Sequence, residues 1–414
     1  MKIKSLLICV ILSVGLIFVC TACGDNGGNS TDLSSSSMPD FQYMFKLLGA
    51  QMPTQKSDSG YYNVVNNHIV YTDSKNLKST PLCNKSDCLH TADYPECNAL
   101  INTGTACIDN FQIYKRNIYY LSEQLDSNNN EQISKLNCLS LDGSEKNIAL
   151  SLKNKFILDW FIYDGYFYYQ PTISIGSDGS TSVSGNFYRV NLSDKKDEVF
   201  LDFSKTQNIY GTEGSLRNVY DGYMYITLSG YADEKDYNNV VNGKISDQNI
   251  STIRKITRYS LADGACDFID PYNNDYEFIG FQDGKLLGTD ISDRIKKVCI
   301  SDLDGKNPKT IIELDSQHQV FCDDNYIYEY NQSLVNNDGG AKSITVYDKQ
   351  GDKISTAYIS DEIAYSINSI TFYDDYLWFQ KTDDTAKTSL CCVKKSDLLK
   401  NETKVTYQEV YSYE

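Results

Sequence analysis

One short unit recurs along this chain and constrains what it can fold into: an apolar or aromatic strand, a tight Asp-Gly or Asn-type turn, then a strand rich in tyrosine. It reads VVNNHIVY, IYKRNIYY, IYDGYFYY, VYDGYMYI, GFQDGKLLG, FCDDNYIYEY and FYDDYLWF, with turns beginning at Asn66, Lys115, Asp164, Asp221, Asp283, Asp324 and Asp374. The intervals are 49, 49, 57, 62, 41 and 50 residues. Asp-Gly between two such runs is a strong hairpin signal, because a type I′ turn needs positive φ at both central positions. A third strand and a polar turn follow most copies, as in KLNCLSLDGSEK, ITRYSLADGACD and VCISDLDGKNPK, and then a fourth apolar segment such as NIAL, TIIEL or TAYIS. Four antiparallel strands at this period make a propeller blade, so the expectation is an all-β chain, a β-propeller of four-stranded blades, seven by the count of copies, with six or eight left open by the divergent first copy. Thirty-three tyrosines, many at alternate positions, suit strand faces on which the ring packs and the hydroxyl reaches water.

The compartment is written in the first residues. MKIKSLLICVILSVGLIFVCTACGDNGG has two lysines, an apolar run from Leu6 to Val19 and small residues ending at Cys23, the layout of a secretory signal. The run is too short to span the ~30 Å hydrocarbon core comfortably. Residues 24–40 are Gly, Ser, Asn and Asp with little to bury, and read as a flexible tether. The reading is therefore 1–22 signal peptide, 23–40 lipidated Cys and tether, and 41–414 one propeller domain with a cysteine-containing insertion at 82–107. The formal charge of −17, two units more negative once Lys2 and Lys4 leave with the signal, opposes nucleic acid and anionic lipid surfaces as partners.

Two resemblances sharpen this. Thr21-Ala22-Cys23 resembles the bacterial lipobox, which implies cleavage before Cys23 and a diacylglycerol on its sulfur, enough for stable anchoring. That implies the outer face of the cytoplasmic membrane of a Gram-positive bacterium. The DGxΦYY hairpin followed by a Leu-x-Asp-Gly turn resembles the TolB-like and YWTD-like propellers and the DUF5050-type domains of clostridial lipoproteins, over roughly residues 60–414. LCNKSDCLH…ECNALI is similar to a cysteine-containing insertion of such lipoproteins. The resemblance implies architecture and carries over no catalytic residue.

Within that insertion, Cys83, Cys88, His90 and Cys97 form a full Cys₃His set. Cys88 and His90 are two apart, so an extended segment would turn them the same way. Such a closed site is structural and would pin a loop with little core of its own, with zinc as the ion. Two other readings fit the same residues: one or two disulfides, with Cys107 as the fourth cysteine, or free thiols. Among the other cysteines, Cys138, Cys299, Cys391 and Cys392 sit in third-strand segments as small hydrophobes, and adjacent Cys391 and Cys392 should point to opposite faces. Beyond the zinc, diffuse calcium at the Asp-Gly turns is the remaining cation reading, since the acidic loop from Asp126 has Glu131 and Asn137 where an EF-hand needs Gly and Glu.

No cofactor is implied otherwise. The sequence has no Gly-x-Ser-x-Gly elbow, His-Glu-x-x-His, phosphate loop or dinucleotide fingerprint, and Ser193-Asp-Lys-Lys196 lies in a charged turn. His68 and His318 have no evident nucleophile beside them in the sequence. The expectation is a membrane-anchored extracellular scaffold that binds a protein, peptide or glycan. The alternative is a propeller hydrolase or lyase acting on wall glycan or exported peptide through channel carboxylates.

Overall fold

The hairpin turns form where the repeat places them. Asn66–Asn67, Lys115–Arg116, Asp164–Gly165, Asp221–Gly222 and Asp283–Gly284 all have φ between 45° and 78°, as a type I′ turn requires. The computed structural model describes residues 54–413, except 92–93, 95, 102–110, 127–130, 154, 176–180, 184, 204–208, 245–251, 270–275, 291–294, 316–317, 332–341, 361–365, 383–386 and 401–404. The signal, Cys23, the tether and Cys107 thus lie outside the described residues.

The strands assemble into a seven-bladed β-propeller. The blades span residues 55–81, 111–153, 156–202, 210–268, 276–315, 319–360 and 366–413, each an antiparallel sheet of four strands taken in chain order. In blade 3 a short extra strand, Thr181–Val183, extends the second strand, Tyr166–Ile175. The first strands of blades 1, 2 and 3 touch in succession, as do those of blades 5 and 6, so first strands form the inner ring. Among the described residues no helix is long and apolar enough to cross a membrane.

Two turns differ from the sequence reading. In blade 1 the first strand is only Gln55–Lys56, and the Asn66 turn joins the second strand, Gly60–Val65, to the third, His68–Asp73. The chemistry of that turn is the same as in the other blades, but its place in the blade is shifted by one strand. In blade 6 the connection runs over four residues, 323–326, because the Asp323 carboxylate accepts from the amides of Asn325 and Tyr326 at 2.8 and 2.9 Å and closes a wider turn.

The apolar core lies between blades. Tyr62, Val64 and Ile69 of blade 1 pack with Phe111, Ile118 and Leu139 of blade 2, and Tyr328 and Ile344 of blade 6 pack with Phe372 and Phe379 of blade 7. Cys391 joins that last cluster while Cys392 joins the cluster with Tyr61 and Val65 of blade 1, which places the adjacent thiols on opposite faces. Many tyrosines are buried whole, and some of their hydroxyls find protein partners instead of water. Tyr62 donates to Leu141 O at 3.0 Å, Tyr169 to Asp197 at 2.9 Å and Tyr328 to Asp323 at 2.7 Å.

Glutamine amides tie neighbouring blades. Gln112 of blade 2 donates to Ile162 O (2.8 Å) and accepts from Ile162 N (2.6 Å) in blade 3. Gln55 makes the same pair of bonds to Phe111 O and Ile113 N of blade 2, and Gln282 reaches from blade 5 to Asp323 O in blade 6. Gln112→Leu leaves both Ile162 backbone groups buried and unpaired, so it is expected to cost on the order of 3 kcal/mol. A urea titration reads this as a lowered midpoint at unchanged slope. A loss below ~1 kcal/mol would show that the tie is dispensable.

Among the described residues no blade borrows a strand from another. Blades 7 and 1 meet through side chains: Lys56 Nζ and Tyr61 Oη both reach Asp374 Oδ2 at 2.6 Å, Gln380 Nε2 donates to Val64 O at 2.6 Å, and the Tyr61 and Trp378 rings lie 4.9 Å apart.

Candidate metal centre

The cysteine-rich segment is an excursion from the outer strand of blade 1. Ser79–Pro81 pairs with Val70–Thr72, and Leu82 N donates to Ile69 O at 2.8 Å. The chain then leaves the sheet and returns sixteen residues later. Ile69 N donates to Ala99 O at 2.9 Å, Leu100 bridges to His68, and Ile101 N donates to Asn67 O at 2.8 Å. Ile69 therefore holds both ends of the loop. The return is fixed by burial: Cys97, Ala99, Leu100 and Ile101 enter the cluster between blades 1 and 2.

Blade 2 supplies the other wall. Asn98 Nδ2 donates to Gly143 O at 2.7 Å and Ser144 O at 3.3 Å. Gly143 has φ 72°, and a Cβ there would sit 2.6 Å from Leu82 O, so only glycine lets this turn lie against the start of the excursion.

Tight local bonds fold the loop back on itself: Cys88 N to Lys85 O, Tyr94 N to Thr91 O and Cys97 N to Tyr94 O at 3.3, 3.1 and 3.0 Å. His90 takes φ 53°, so the Cys88–His90 segment is not extended, and the same-face alternation of a strand does not apply to it. The chain reversal nevertheless brings the side chains together. The ligand atoms of Cys83, Cys88, His90 and Cys97 all lie within 4.8 Å of one another. His90 Nδ1 is 3.6 Å from Cys97 Sγ. Across a tetrahedral zinc with bonds of ~2.0–2.3 Å, neighbouring donors stand roughly 3.3–3.8 Å apart, so the set closes on an ion with shifts of about 1 Å or less.

The sulfurs sit in unequal surroundings. Burial raises the Cys83 thiol, but the Lys85 and Asn98 amides and the Cys88 and Cys97 thiols outweigh it, and its net pKa is lowered. Burial, then the hydrogen bond with Cys88, pushes Cys97 up to about 12, against the Leu100 and Ala99 amides. Backbone N–H groups aimed at sulfur favour the thiolate, the form a metal takes. Among the described residues the nine cysteines are free thiols.

Lys146, the first residue of the outer strand of blade 2, completes the surroundings, and no spacing rule pointed to it. Its Nζ donates to Leu100 O at 2.7 Å and stands 5.8 Å from the centre of the Tyr120 ring. Burial lowers its pKa; the Cys97 and Cys83 thiols act in the opposite sense, and Lys85 adds to the lowering.

The other candidates lie elsewhere. His68 is buried, with Nδ1 on Asn66 O at 2.9 Å, Nε2 without a partner among the described residues and the ring 5.2 Å from Tyr413. His318 Nδ1 contacts Glu329 Oε1, and Tyr347 Oη donates to Glu329 Oε2 at 2.7 Å, a group that the pairing of neighbouring strands in blade 6 brings together and that sequence reading missed. Ser193 caps its own turn, donating to Asn191 Oδ1 at 2.6 Å, and makes no catalytic arrangement with Lys196.

No known family profile matches the chain, and no curated protein matches it in sequence. In three dimensions it is similar to a prolyl endopeptidase, with a TM-score of 0.54 and 10% identity over 89% of this chain and 50% of that one. It also matches the β-propeller domain of the Trilobed protease of Pyrococcus furiosus, with a TM-score of 0.46 and 12% identity over 89% and 98% of the two chains. The chain spans half the length of the prolyl endopeptidase, and at these identities the likeness shows the fold alone.

Proposed function

We propose that this chain is a lipid-anchored envelope protein, resembling the TolB-like and DUF5050-type clostridial lipoproteins, whose propeller is a binding scaffold with a structural zinc at Cys83, Cys88, His90 and Cys97. The observation that carries the metal reading is the gathering of three sulfurs and an imidazole nitrogen within 4.8 Å. Four protein donors leave no open position, so zinc here would hold structure and activate no water. It would fasten the loop to the two blades that flank it.

The binding reading rests on an asymmetry of the ring. In an antiparallel meander the first–second and third–fourth turns share one end. In this chain the first–second turns are short, and the third–fourth turns close in blades 1 to 6 on a few residues. The second–third connections share the opposite end; that of blade 1 is only Asn66–Asn67, but those of blades 3, 4 and 6 run over 176–185, 232–251 and 332–341. The one in blade 4 carries the helix Glu234–Val241, which has no buried residue and is capped by Asp233. Variable loops on rigid blades are a common way to present a binding surface, here for a protein, peptide or glycan at the outer face of the membrane.

Protein purified under reducing, chelator-free conditions is expected to show one zinc per chain by native mass spectrometry, removed by a chelator. In cells, Cys23→Ala is expected to move the protein from the membrane fraction to the medium. A metal-free mass lower by pairs of hydrogens would replace zinc with disulfides. Unchanged membrane association of Cys23→Ala would overturn the anchor.

A further inference from the structure

We infer that the end of the ring bearing the second–third connections holds a saccharide-binding pair, His318 and Lys296, in which the imidazole accepts from a sugar hydroxyl and the ammonium donates to an oxygen of the same sugar. This rests on the scaffold reading above and narrows its ligand to a neutral glycan.

Blades 5 and 6 build the pair between them. His318 stands one residue before Gln319–Cys322, the inner strand of blade 6, which the chain enters at that end of the ring. Lys296 is the second residue of Ile295–Asp302, the third strand of blade 5, entered from the same end. Its Nζ donates to His318 O at 2.9 Å, so ammonium and imidazole belong to one spot on the seam between the two blades. Glu329 is committed behind them: its side chain is 10% exposed, with Oε1 on His318 Nδ1 and Oε2 accepting from Tyr347 Oη at 2.7 Å.

Each bond fixes what is left to offer. The contact with the Glu329 carboxylate takes the Nδ1 hydrogen, so the uncharged ring keeps its lone pair on Nε2. Among the described residues that nitrogen has no partner, and the His318 side chain is 21% exposed. Lys296 spends one of its three donors on His318 O and, among the described residues, none on a carboxylate. The charges of Lys296 and Glu329 cancel, so the pair asks for no charge on its ligand, and the formal charge of −17 on the whole chain repels anions. A sugar hydroxyl meets this demand from a single oxygen, donating to Nε2 while accepting from Nζ. The N–H and C=O of one trans peptide unit point in opposite directions and do not.

The test uses the full chain with nitrogen-labelled histidine, calorimetry, and chitotetraose as a neutral oligosaccharide. The chain has three histidines, so NMR of the ring nitrogens singles out His318 by its loss in His318→Gln. At about pH 8, above the ordinary imidazole range, His318 is expected to carry its hydrogen on Nδ1, and chitotetraose to shift its Nε2 resonance. Lys296→Met keeps the apolar stem; it should weaken chitotetraose binding about 10–100-fold and leave the hydrogen of His318 on Nδ1. A hydrogen found on Nε2 would overturn the inference. Equal chitotetraose binding by wild type, His318→Gln and Lys296→Met would do the same and leave the scaffold reading standing with its glycan held elsewhere. A wild type that ignores chitotetraose also sinks it: binding of an end-blocked tetrapeptide in its place turns the scaffold reading toward peptides, and binding of neither probe leaves that reading to protein partners.

Discussion

Cys97→Ser is expected to unfold at the same temperature with and without chelator, and well below zinc-loaded wild type. Cys97 is the ligand at which the excursion re-enters the core, with no solvent exposure. Serine there gives up a metal ligand and places a hydroxyl among Ala99, Ile101 and Phe111. Structural zinc in small domains contributes ~10–16 kcal/mol of apparent binding energy. In a ring that also has its own core, only part of that returns as stability. A loss on the order of 5 kcal/mol is expected, or about 10 °C in melting temperature. Cys266→Ser, at an exposed thiol in blade 4, is the control and should leave the chelator difference intact. A wild-type melting curve indifferent to chelator would set the zinc reading aside.

Trp378→Ala is expected to loosen one seam of the ring before the rest. Trp378 is 1% exposed and packs on Tyr61 across the boundary between blades 7 and 1. Truncating a buried tryptophan costs ~3–5 kcal/mol. The loss falls at a boundary that, among the described residues, no strand crosses. Hydrogen exchange should therefore accelerate in residues 60–65, 376–382 and 388–394 well ahead of blades 3 and 4, as local opening does where stability is unevenly spread. Equal acceleration in all seven blades would mean that the seam is no weaker than any other and that the ring opens as one unit.

Most of the fold was legible because its signal is local. Asp164-Gly165 or Asp221-Gly222 announces a turn from two adjacent residues, and the period follows from counting them. The first blade was misaligned for the same reason: Asn66-Asn67 is a sound turn, but nothing in its chemistry says which two strands it joins. The two-residue strand Gln55–Lys56 carries no periodicity and is held by its neighbours, through Gln55 on Phe111 and Lys56 on Asp374. The cysteines were found because spacing along the chain limits where ligands can meet. Lys146 could not be found this way. It opens the outer strand of blade 2, and it meets the excursion at Leu100 O only because that strand lies against it. Gln112 was missed on the same ground, since it acts across a blade boundary that the sequence does not mark, whereas the His318–Glu329 pair lies within blade 6 and depends on a strand register that sequence spacing does not give.

The self-contained blades also bear on how such a chain can change over generations. A propeller closed by a strand from the far terminus must keep both termini in register, and adding a blade disturbs the joint. Here, among the described residues, every unit opens on its own inner strand and ends on its own outer one, and glutamine amides reach the next backbone. A segment of about fifty residues can therefore be duplicated, deleted or exchanged whole with no strand left orphaned, and the first blade, with its cysteine loop, can serve as a fixed end-piece while the others vary.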